Sequence, residues 1–283
     1  MEGTPPDADL DGVVALVTGA SRGVGRGVAH ELGAAGATVY VTGRSTAGDR
    51  TDGLEGTVEG TADLVTSAGG TGIGIVCDHT DDSAVAALFD RIRDEHGGLD
   101  LLVNCAWGGY ESYDDTFDDP FWTQPVSRWD RMFDAGVRAA FVASQHAVGP
   151  MLDRGSGLLV NVSSGDDGKF RGSVPYDVAK TAVDRMTAGM AHELREHGVA
   201  AVVLYPGFTR TERVEAAFER DGVLEGTESP RYAGRAVAAL AADPDVMARS
   251  GGVFKTGELA REYGFSDVDG RQPEPFEFDA PRL

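Results

Sequence analysis

The sequence predicts an α/β fold: a single doubly wound, parallel sheet of about seven strands with helices on both faces. Short apolar runs alternate along the chain with helical stretches of ten or more residues, which indicates parallel strands joined by crossover helices. These runs lack the polar alternation of a half-exposed strand, as is typical of strands covered on both sides. At 283 residues, the chain can bury a large core within one domain.

The individual elements follow from where the apolar runs end at turn residues. Strands are expected at the short runs, which are 13–17, 38–42, 72–76, 99–103, 157–162, 199–204 and 252–254. Helices are expected at the longer stretches between them, which are 24–35, 58–68, 82–96, 127–150, 175–197 and 230–242. The polar residues 1–11 predict a flexible tail, residues 12–269 the single folded domain, and residues 270–283 an irregular arm.

The charge balance excludes several classes of partner. The chain has 46 acidic and 25 basic residues, a formal net charge of -21, and such a surface repels nucleic acid and anionic membranes. This acid-rich pattern resembles proteins of salt-loving organisms, the alternative being an ordinary organism with an arginine-rich genome. No apolar run reaches the ~18–20 residues of a membrane span and no secretion signal is visible, so a cytoplasmic protein is expected. The cysteines, Cys77 and Cys105, are too few for a metal site, and none is predicted.

A glycine-rich loop joins the first strand to the first helix. Gly19 allows a tight turn, Gly23 allows the backbone to approach a pyrophosphate, and Gly25 lets the helix pack on the strand. The free N–H groups at the start of the helix then face the phosphates. The residues expected to bind the phosphates of a dinucleotide are Gly19, Ser21, Arg22, Gly23, Val24 and Gly25.

The end of the second strand indicates which dinucleotide binds. NAD-binding proteins usually carry an acidic residue there for the ribose hydroxyls. This chain has Val41-Thr42-Gly43-Arg44 instead. Arg44 and Arg22 could clamp a 2′-phosphate through charge-assisted hydrogen bonds, so NADP(H) is predicted over NAD(H). The alternative is that both are ordinary surface arginines.

Tyr176 and Lys180 stand four residues apart in a predicted helix, which places both side chains on one face. A free phenol has a pKa of about 10 and is a poor base at neutral pH. An ammonium ~4 Å away stabilises a phenolate by roughly 4 kcal/mol at an effective dielectric constant of about 20. The pair is therefore predicted to exchange a proton with a substrate, with Tyr176 as general acid and base.

With Gly-x-x-x-Gly-x-Gly and Tyr-x-x-x-Lys, residues 12–272 resemble the short-chain dehydrogenase/reductase superfamily. Segments such as 259–264 and 267–271 look more closely like the branch typified by dehydrogenase/reductase family member 1. The resemblance implies a Rossmann fold, an NADP(H)- or NAD(H)-linked hydride transfer, a small carbonyl or alcohol substrate, and a homodimer or homotetramer formed by helices 130–150 and 176–195. The animal members of this branch carry a further hydrophobic C-terminal region that this sequence lacks, so a soluble protein is expected.

The resemblance also implies a serine that orients the substrate oxygen. Spacing from Tyr176 selects Ser163, whereas the strand-end pattern Asn-Val-Ser-Ser selects Ser164, which is preferred because strand geometry fixes position better than loop length. Lys180 and Tyr176 would also contact the cofactor. Further cofactor contacts carried over from the family are Asp78, Asn104, Ala106, Pro206, Gly207, Thr209 and Thr211.

The chain departs from the family pattern at three positions. Cys105 and Trp107 replace an Asn and a Gly after the fourth strand, and Gly136 stands where the family has the Asn that holds a proton-relay water. Gly136 is the only support for a second hypothesis, a dinucleotide-binding regulatory or scaffold protein without turnover. The loop 107–125 carries aromatic residues that either line an apolar substrate pocket or serve packing, namely Trp107, Tyr110, Tyr113, Phe117, Phe121 and Trp122.

Overall fold

In the computed structural model, which describes residues 3, 5–111, 116–166, 168–218, 226–280 and 282, the strands form one parallel sheet. The strand order is β3-β2-β1-β4-β5-β6-β7. The bounds are β1 Val14–Thr18, β2 Thr38–Gly43, β3 Thr71–Val76, β4 Leu101–Asn104, β5 Gly157–Val162, β6 Val199–Tyr205 and β7 Val253–Lys255. The order reverses between β1 and β4, which is where folds of this kind bind ligands. The predicted fold class is confirmed.

Helices cover both faces of this sheet. Their bounds are α1 Gly23–Ala34, α2 Val58–Ala68, α3 Asp82–His96, α4 Val126–Met132, α5 Ala139–Arg154, α6 Val174–Leu194, α7 Glu212–Phe218, α8 Pro230–Ala242 and α9 Thr256–Tyr263. β1 shows how the core divides, because its side chains alternate between the faces. Ala15 and Val17 pack with α1, α2, α8 and α9, whereas Val14 and Leu16 pack with α3, α5 and α6.

Three helical features differ from the sequence prediction. The single helix expected over 127–150 is instead α4, a π-helical turn at Phe133–Arg138, and α5. The helices α7 and α9 were not predicted. Both have fewer than ten residues, and α9 follows β7 directly, so neither produces a long periodic pattern between turn residues.

Described residues near both termini contact the rest of the fold. Leu10, at the end of the predicted flexible tail, is buried, and its N–H donates to the carbonyl of Ala35 at 2.7 Å. Residues 271–278 form no helix or strand, and part of this segment is half-buried. Among the helices of the described residues, none has the length and apolar character needed to cross a bilayer.

Candidate active site

A cavity of about 610 Å³ opens at the carboxyl ends of the central strands, within the size range of ligand sites. It brings together all but one of the residues selected from the sequence. Those that line it are Gly19, Ser21, Arg22, Gly23, Val24, Gly25, Arg44, Asp78, Ala106, Ser164, Tyr176, Lys180, Pro206, Gly207, Thr209 and Thr211.

The glycine loop is shaped by contacts that exclude side chains. Gly19 has a φ of +63°, and a Cβ there would lie 2.7 Å from the Cα of Ala106. A Cβ on Gly25 would lie 2.6 Å from the carbonyl oxygen of Gly19. The N–H of Gly23 donates to a carboxylate oxygen of Glu212 at 2.8 Å. An anionic group therefore already sits at the amide expected to meet a phosphate.

Two arginines line the cavity, Arg22 from this loop and Arg44 from the end of β2. The guanidinium of Arg22 donates to the carbonyl of Thr51 at 2.9 Å and to Ser45 Oγ at 2.7 Å, which ties it to the loop after β2. Arg44 pairs with Glu111. The sequence indicated both arginines, but Ser45, Thr51 and Glu111 come from loops whose path it does not reveal.

Asp78 follows β3 and lines the same wall. Burial by itself would raise the pKa of Asp78, but hydrogen bonds from the backbone and side chain of Thr80, at 2.9 and 2.8 Å, lower it below its usual value. Asp78 is therefore held as a carboxylate. The adjacent His79 is buried and contacts Thr42 Oγ1 at 2.8 Å, and burial lowers its pKa to about 4.

The helix α6 presents Tyr176 and Lys180 to the cavity, each only 8% exposed. Lys180 Nζ lies 3.9 Å from the centre of the Trp107 ring and 5.7 Å from that of Tyr176. The rings of Trp107 and Tyr176 meet edge to face at 5.6 Å. Burial lowers the pKa of Lys180 to about 8, although the nearby carboxylate of Asp184 favours the charged form.

Both candidate serines line the cavity, but their surroundings differ. Ser163 is buried, and its hydroxyl donates to the carbonyl of Lys180 at 3.2 Å, linking the end of β5 to α6. Ser164 is half-buried at the next position. The hydroxyl of Ser163 is therefore already bound to the helix.

Asn104 is the one selected residue that does not line the cavity. Its side chain is buried and donates to Asn161 Oδ1 at 2.8 Å and to Ser144 Oγ at 3.2 Å. Asn161 in turn donates to Thr187 Oγ1 at 2.8 Å. Asn104 thus joins β4, β5, α5 and α6 rather than lining the cavity.

A polar cluster that the sequence analysis missed lies beside Lys180. Asp184 accepts from Arg171 at 3.0 Å and from the hydroxyl of Tyr205 at 2.7 Å. Asp184 stands four residues after Lys180, so helical spacing alone could have placed both on one face. No sequence signal identifies Arg171, which reaches the cluster from the loop between β5 and α6. Within the described residues, no three His, Cys, Asp or Glu side chains group as a metal site.

The C-terminal arm forms part of the cavity wall. The buried carboxylate of Asp166 binds Lys169 at 2.8 Å and Lys255 at 2.7 Å, and it accepts from the N–H of Phe278 at 2.9 Å. These contacts hold the arm across the site. The aromatic residues lining the cavity besides Tyr176 are Trp107, Tyr110, Phe117, Phe208, Phe276 and Phe278.

Only part of the expected aromatic loop contributes to this wall. Phe121 and Trp122 are 60% and 74% exposed and lie outside the cavity lining. Tyr113 lies outside the described residues. The C-terminal arm, for which the sequence predicts no regular structure, supplies Phe276 and Phe278 instead.

The parallel sheet and the glycine turn after β1 are those of the doubly wound α/β class, which includes the dinucleotide-dependent oxidoreductases. The family model described as short chain dehydrogenase matches residues 13–222, and the chain belongs to that family.

Similar proteins agree with this membership. Dehydrogenase/reductase SDR family member 1 of Mus musculus is 40% identical over 93% of this chain and 86% of its own length, which confirms the predicted branch. The short-chain reductase protein NovJ of Streptomyces niveus is 32% identical over 92% of this chain and 94% of its own. A crystal structure of a short chain dehydrogenase from Mycobacterium thermoresistibile matches with a TM-score of 0.80 at 24% identity, covering 96% of this chain and 100% of that one, and shows the same fold.

Proposed function

We propose that this protein is an NADP(H)-dependent oxidoreductase that transfers hydride between a nicotinamide and a carbonyl or secondary alcohol. The observation that carries the proposal is the convergence of Tyr176, Lys180 and Ser164 on the same cavity as the glycine loop. A proton-exchanging phenol beside a phosphate-binding turn is what carbonyl reduction by a dinucleotide requires.

The residues present fit such a cofactor. The Gly23 amide already binds an anionic oxygen of Glu212, and the space around Gly19 and Gly25 admits backbone only. The glycine loop would hold the pyrophosphate, and Lys180 the ribose hydroxyls. Backbone and hydroxyl groups of residues 206–211 would hold the nicotinamide end. When bound, the nicotinamide supplies or accepts the hydride.

The protein side of the reaction is proton transfer at the substrate oxygen. In reduction, Tyr176 donates its phenolic proton to the carbonyl oxygen while the Ser164 hydroxyl donates a hydrogen bond to that oxygen. The Lys180 ammonium stabilises the phenolate left on Tyr176. Ser164 takes this role because the hydroxyl of Ser163 is already bound to the carbonyl of Lys180. In oxidation the same groups act in reverse.

The substrate side of the cavity favours an apolar carbonyl compound. The aromatic rings from the loop after β4 and from the C-terminal arm form an apolar part of the wall, and burying apolar surface against it stabilises a complex by about 25 cal/mol per Å². An NADP preference, together with a relative described as a reductase, supports reduction as the working direction.

The preference for NADP(H) is assigned to Arg44 and Arg22 at the wall after β2. An Arg44→Ala variant should weaken NADPH binding by roughly 10- to 100-fold, because a charged hydrogen bond contributes about 1.5–3 kcal/mol, and should leave NADH binding nearly unchanged. The measurement is a fluorescence titration of both cofactors. Arg50→Ala is the matched control, since Arg50 pairs with Glu55 outside the cavity. Tighter binding of NADH than of NADPH by the wild type would overturn this coenzyme assignment.

We also infer that the protein works as a homodimer or homotetramer through α5 and α6. Both helices expose apolar side chains: Phe141 and Leu152 on α5, and Val174 and Val178 on α6. Light scattering at micromolar concentration should find more than one chain per particle, and Phe141→Glu should reduce that number. A monomeric wild type would refute the assembly. A cytoplasmic location remains a prediction from the sequence.

A further inference from the structure

We propose that Trp107 is a positioning residue of the active site, whose indole face holds the Lys180 ammonium in a slot left open by Gly109 and Gly136. Lys180 Nζ lies 3.9 Å from the ring centre, well inside the ~6 Å range of a cation–π contact. The indole also meets Tyr176 edge to face. One side chain therefore contacts both members of the Tyr–Lys pair.

The slot exists because Gly109 and Gly136 lack side chains. A Cβ on Gly136 would lie 2.6 Å from Cε3 and Cζ3 of the indole. A Cβ on Gly109 would lie 2.6 Å from Cζ2, at the other edge of the same ring. Any larger residue at either position would clash with the indole in its present place over Lys180. Gly136 lies in the π-helical turn between α4 and α5, so this irregular turn forms one side of the slot.

The contact matters because few groups stabilise the charge on Lys180. Asp184 on α6 favours the ammonium, whereas Arg171 and burial oppose it. Burial raises the pKa of the nearby Cys105 to about 12, so that thiol is neutral beside the lysine. With the Lys180 pKa at about 8, the electron-rich indole face contributes to keeping the side chain charged near neutral pH.

Trp107 and Gly136 therefore act as a matched pair, since the indole fills the space that a side chain at residue 136 would take. The catalytic consequence rests on the function proposed above, because the ammonium matters only if Tyr176 exchanges a proton. The contact itself does not depend on turnover and can be tested without it.

The test uses the low lysine content of the chain, which has Lys169, Lys180 and Lys255 only. Full-length protein labelled with ¹³C at the lysine ε-carbon gives three side-chain signals, and Lys180→Arg identifies that of Lys180. The ring current of Trp107 should move the Lys180 ε-protons upfield of the other two. The signal should titrate near pH 8.

Two substitutions of Trp107 distinguish the effect of its aromatic ring from the effect of its size. Trp107→Leu should abolish the upfield shift and lower the titration midpoint by roughly half to one pH unit, since an apolar side chain replaces the π face. Trp107→Phe should keep most of the upfield shift and a titration midpoint close to that of the wild type.

Gly136→Ala should reduce the upfield shift with Trp107 still present. Gly149→Ala on α5 is its control, because no atom lies within 4 Å of a Cβ there.

The outcomes are distinct. A Lys180 signal without upfield shift in the wild type, or one that Trp107→Leu leaves unchanged, overturns the proposal, and the wild-type spectrum decides this even if a variant fails to fold. An upfield signal in a protein that oxidises no NADPH supports the contact and counts against the proposed function. In an active enzyme, the alkaline decline of kcat/KM should move to lower pH in Trp107→Leu and not in Trp107→Phe.

Discussion

Glu212 binds the amide at which a phosphate is expected. Its carboxylate accepts from the N–H of Gly23 at 2.8 Å and lies 3.4 Å from Arg26. It comes from α7, a helix that the sequence analysis did not identify. A cofactor that uses the glycine loop must therefore displace this carboxylate or bind beside it.

Replacing that carboxylate by an amide should strengthen cofactor binding. We expect Glu212→Gln to lower the Kd of NADPH and NADH alike by roughly three- to tenfold, because a charged acceptor competes better for an N–H than a neutral one. The measurement is the same fluorescence titration, with Glu215→Gln, an exposed residue of the same helix, as control. Unchanged or weaker binding in Glu212→Gln would contradict this account of the contact.

Local spacing in the sequence predicts which of these side chains lie together. The interval between Tyr176 and Lys180 places them on one helix face, and the glycine spacing marks the turn after β1. The position of Trp107 could not be predicted, because its indole occupies space left by the absence of side chains on Gly109 and Gly136, and Gly136 belongs to another segment. A contact that depends on a glycine in another segment leaves no pattern in the sequence around the residue that makes it.

At the scale of elements, α1 and α8 are joined by a buried ion pair. Glu31 on α1 is buried and pairs with Arg231 and, at 3.3 Å, with the buried Arg235 on α8. Removing one member of such a cluster leaves an uncompensated charge away from water, which is strongly destabilising.

Truncation of Glu31 should therefore weaken the packing of these helices. We expect Glu31→Ala to lower the free energy of unfolding by about 3–5 kcal/mol. Urea denaturation followed by circular dichroism measures the change. Glu193→Ala on the exposed side of α6 should remain within about 0.5 kcal/mol of the wild type. A comparable loss in both variants would mean that the buried pair has no special role.

Helices with clear caps were predicted with the observed bounds. α2 and α3 begin after Thr57 and Asp81, whose side chains accept backbone N–H groups, and end at Gly69 and Gly97 in the left-handed conformation. These signals are local and visible in the sequence. The break between α4 and α5 is not visible in the sequence, because the π-helical turn around Gly136 accommodates a ring from another loop.

The whole molecule carries a formal net charge of -21 at pH 7. At low salt the acidic groups repel one another, and this repulsion favours unfolding. The Debye length falls from about 10 Å at 0.1 M to about 3 Å at 1 M salt, which removes most of the repulsion.

Salt should therefore stabilise this protein. If screening adds about 2 kcal/mol, Tm should rise by roughly 4–8 °C between 0.1 and 1 M NaCl. Differential scanning calorimetry measures the change, and an isosmotic sucrose series separates screening from general solute effects. A Tm that falls or stays constant with NaCl would argue against the electrostatic account.

The overall topology could be predicted because strand and helix alternate in a way that permits few arrangements. The packing of the C-terminal arm against the site could not be predicted. That contact depends on Asp166, Lys169, Lys255 and Phe278, which come from three separate parts of the chain. The sequence shows only an irregular segment rich in Pro and Phe.

The most direct test of the proposed function is NADPH oxidation with a panel of apolar ketones and aldehydes in molar salt, comparing the wild type with Tyr176→Phe. We expect turnover by the wild type and a decrease in kcat of roughly 10²- to 10⁴-fold in Tyr176→Phe, with the Kd of NADPH within about twofold. Binding of NADPH without turnover of any carbonyl would instead support the scaffold hypothesis. Equal activity in both proteins would contradict the role assigned to Tyr176.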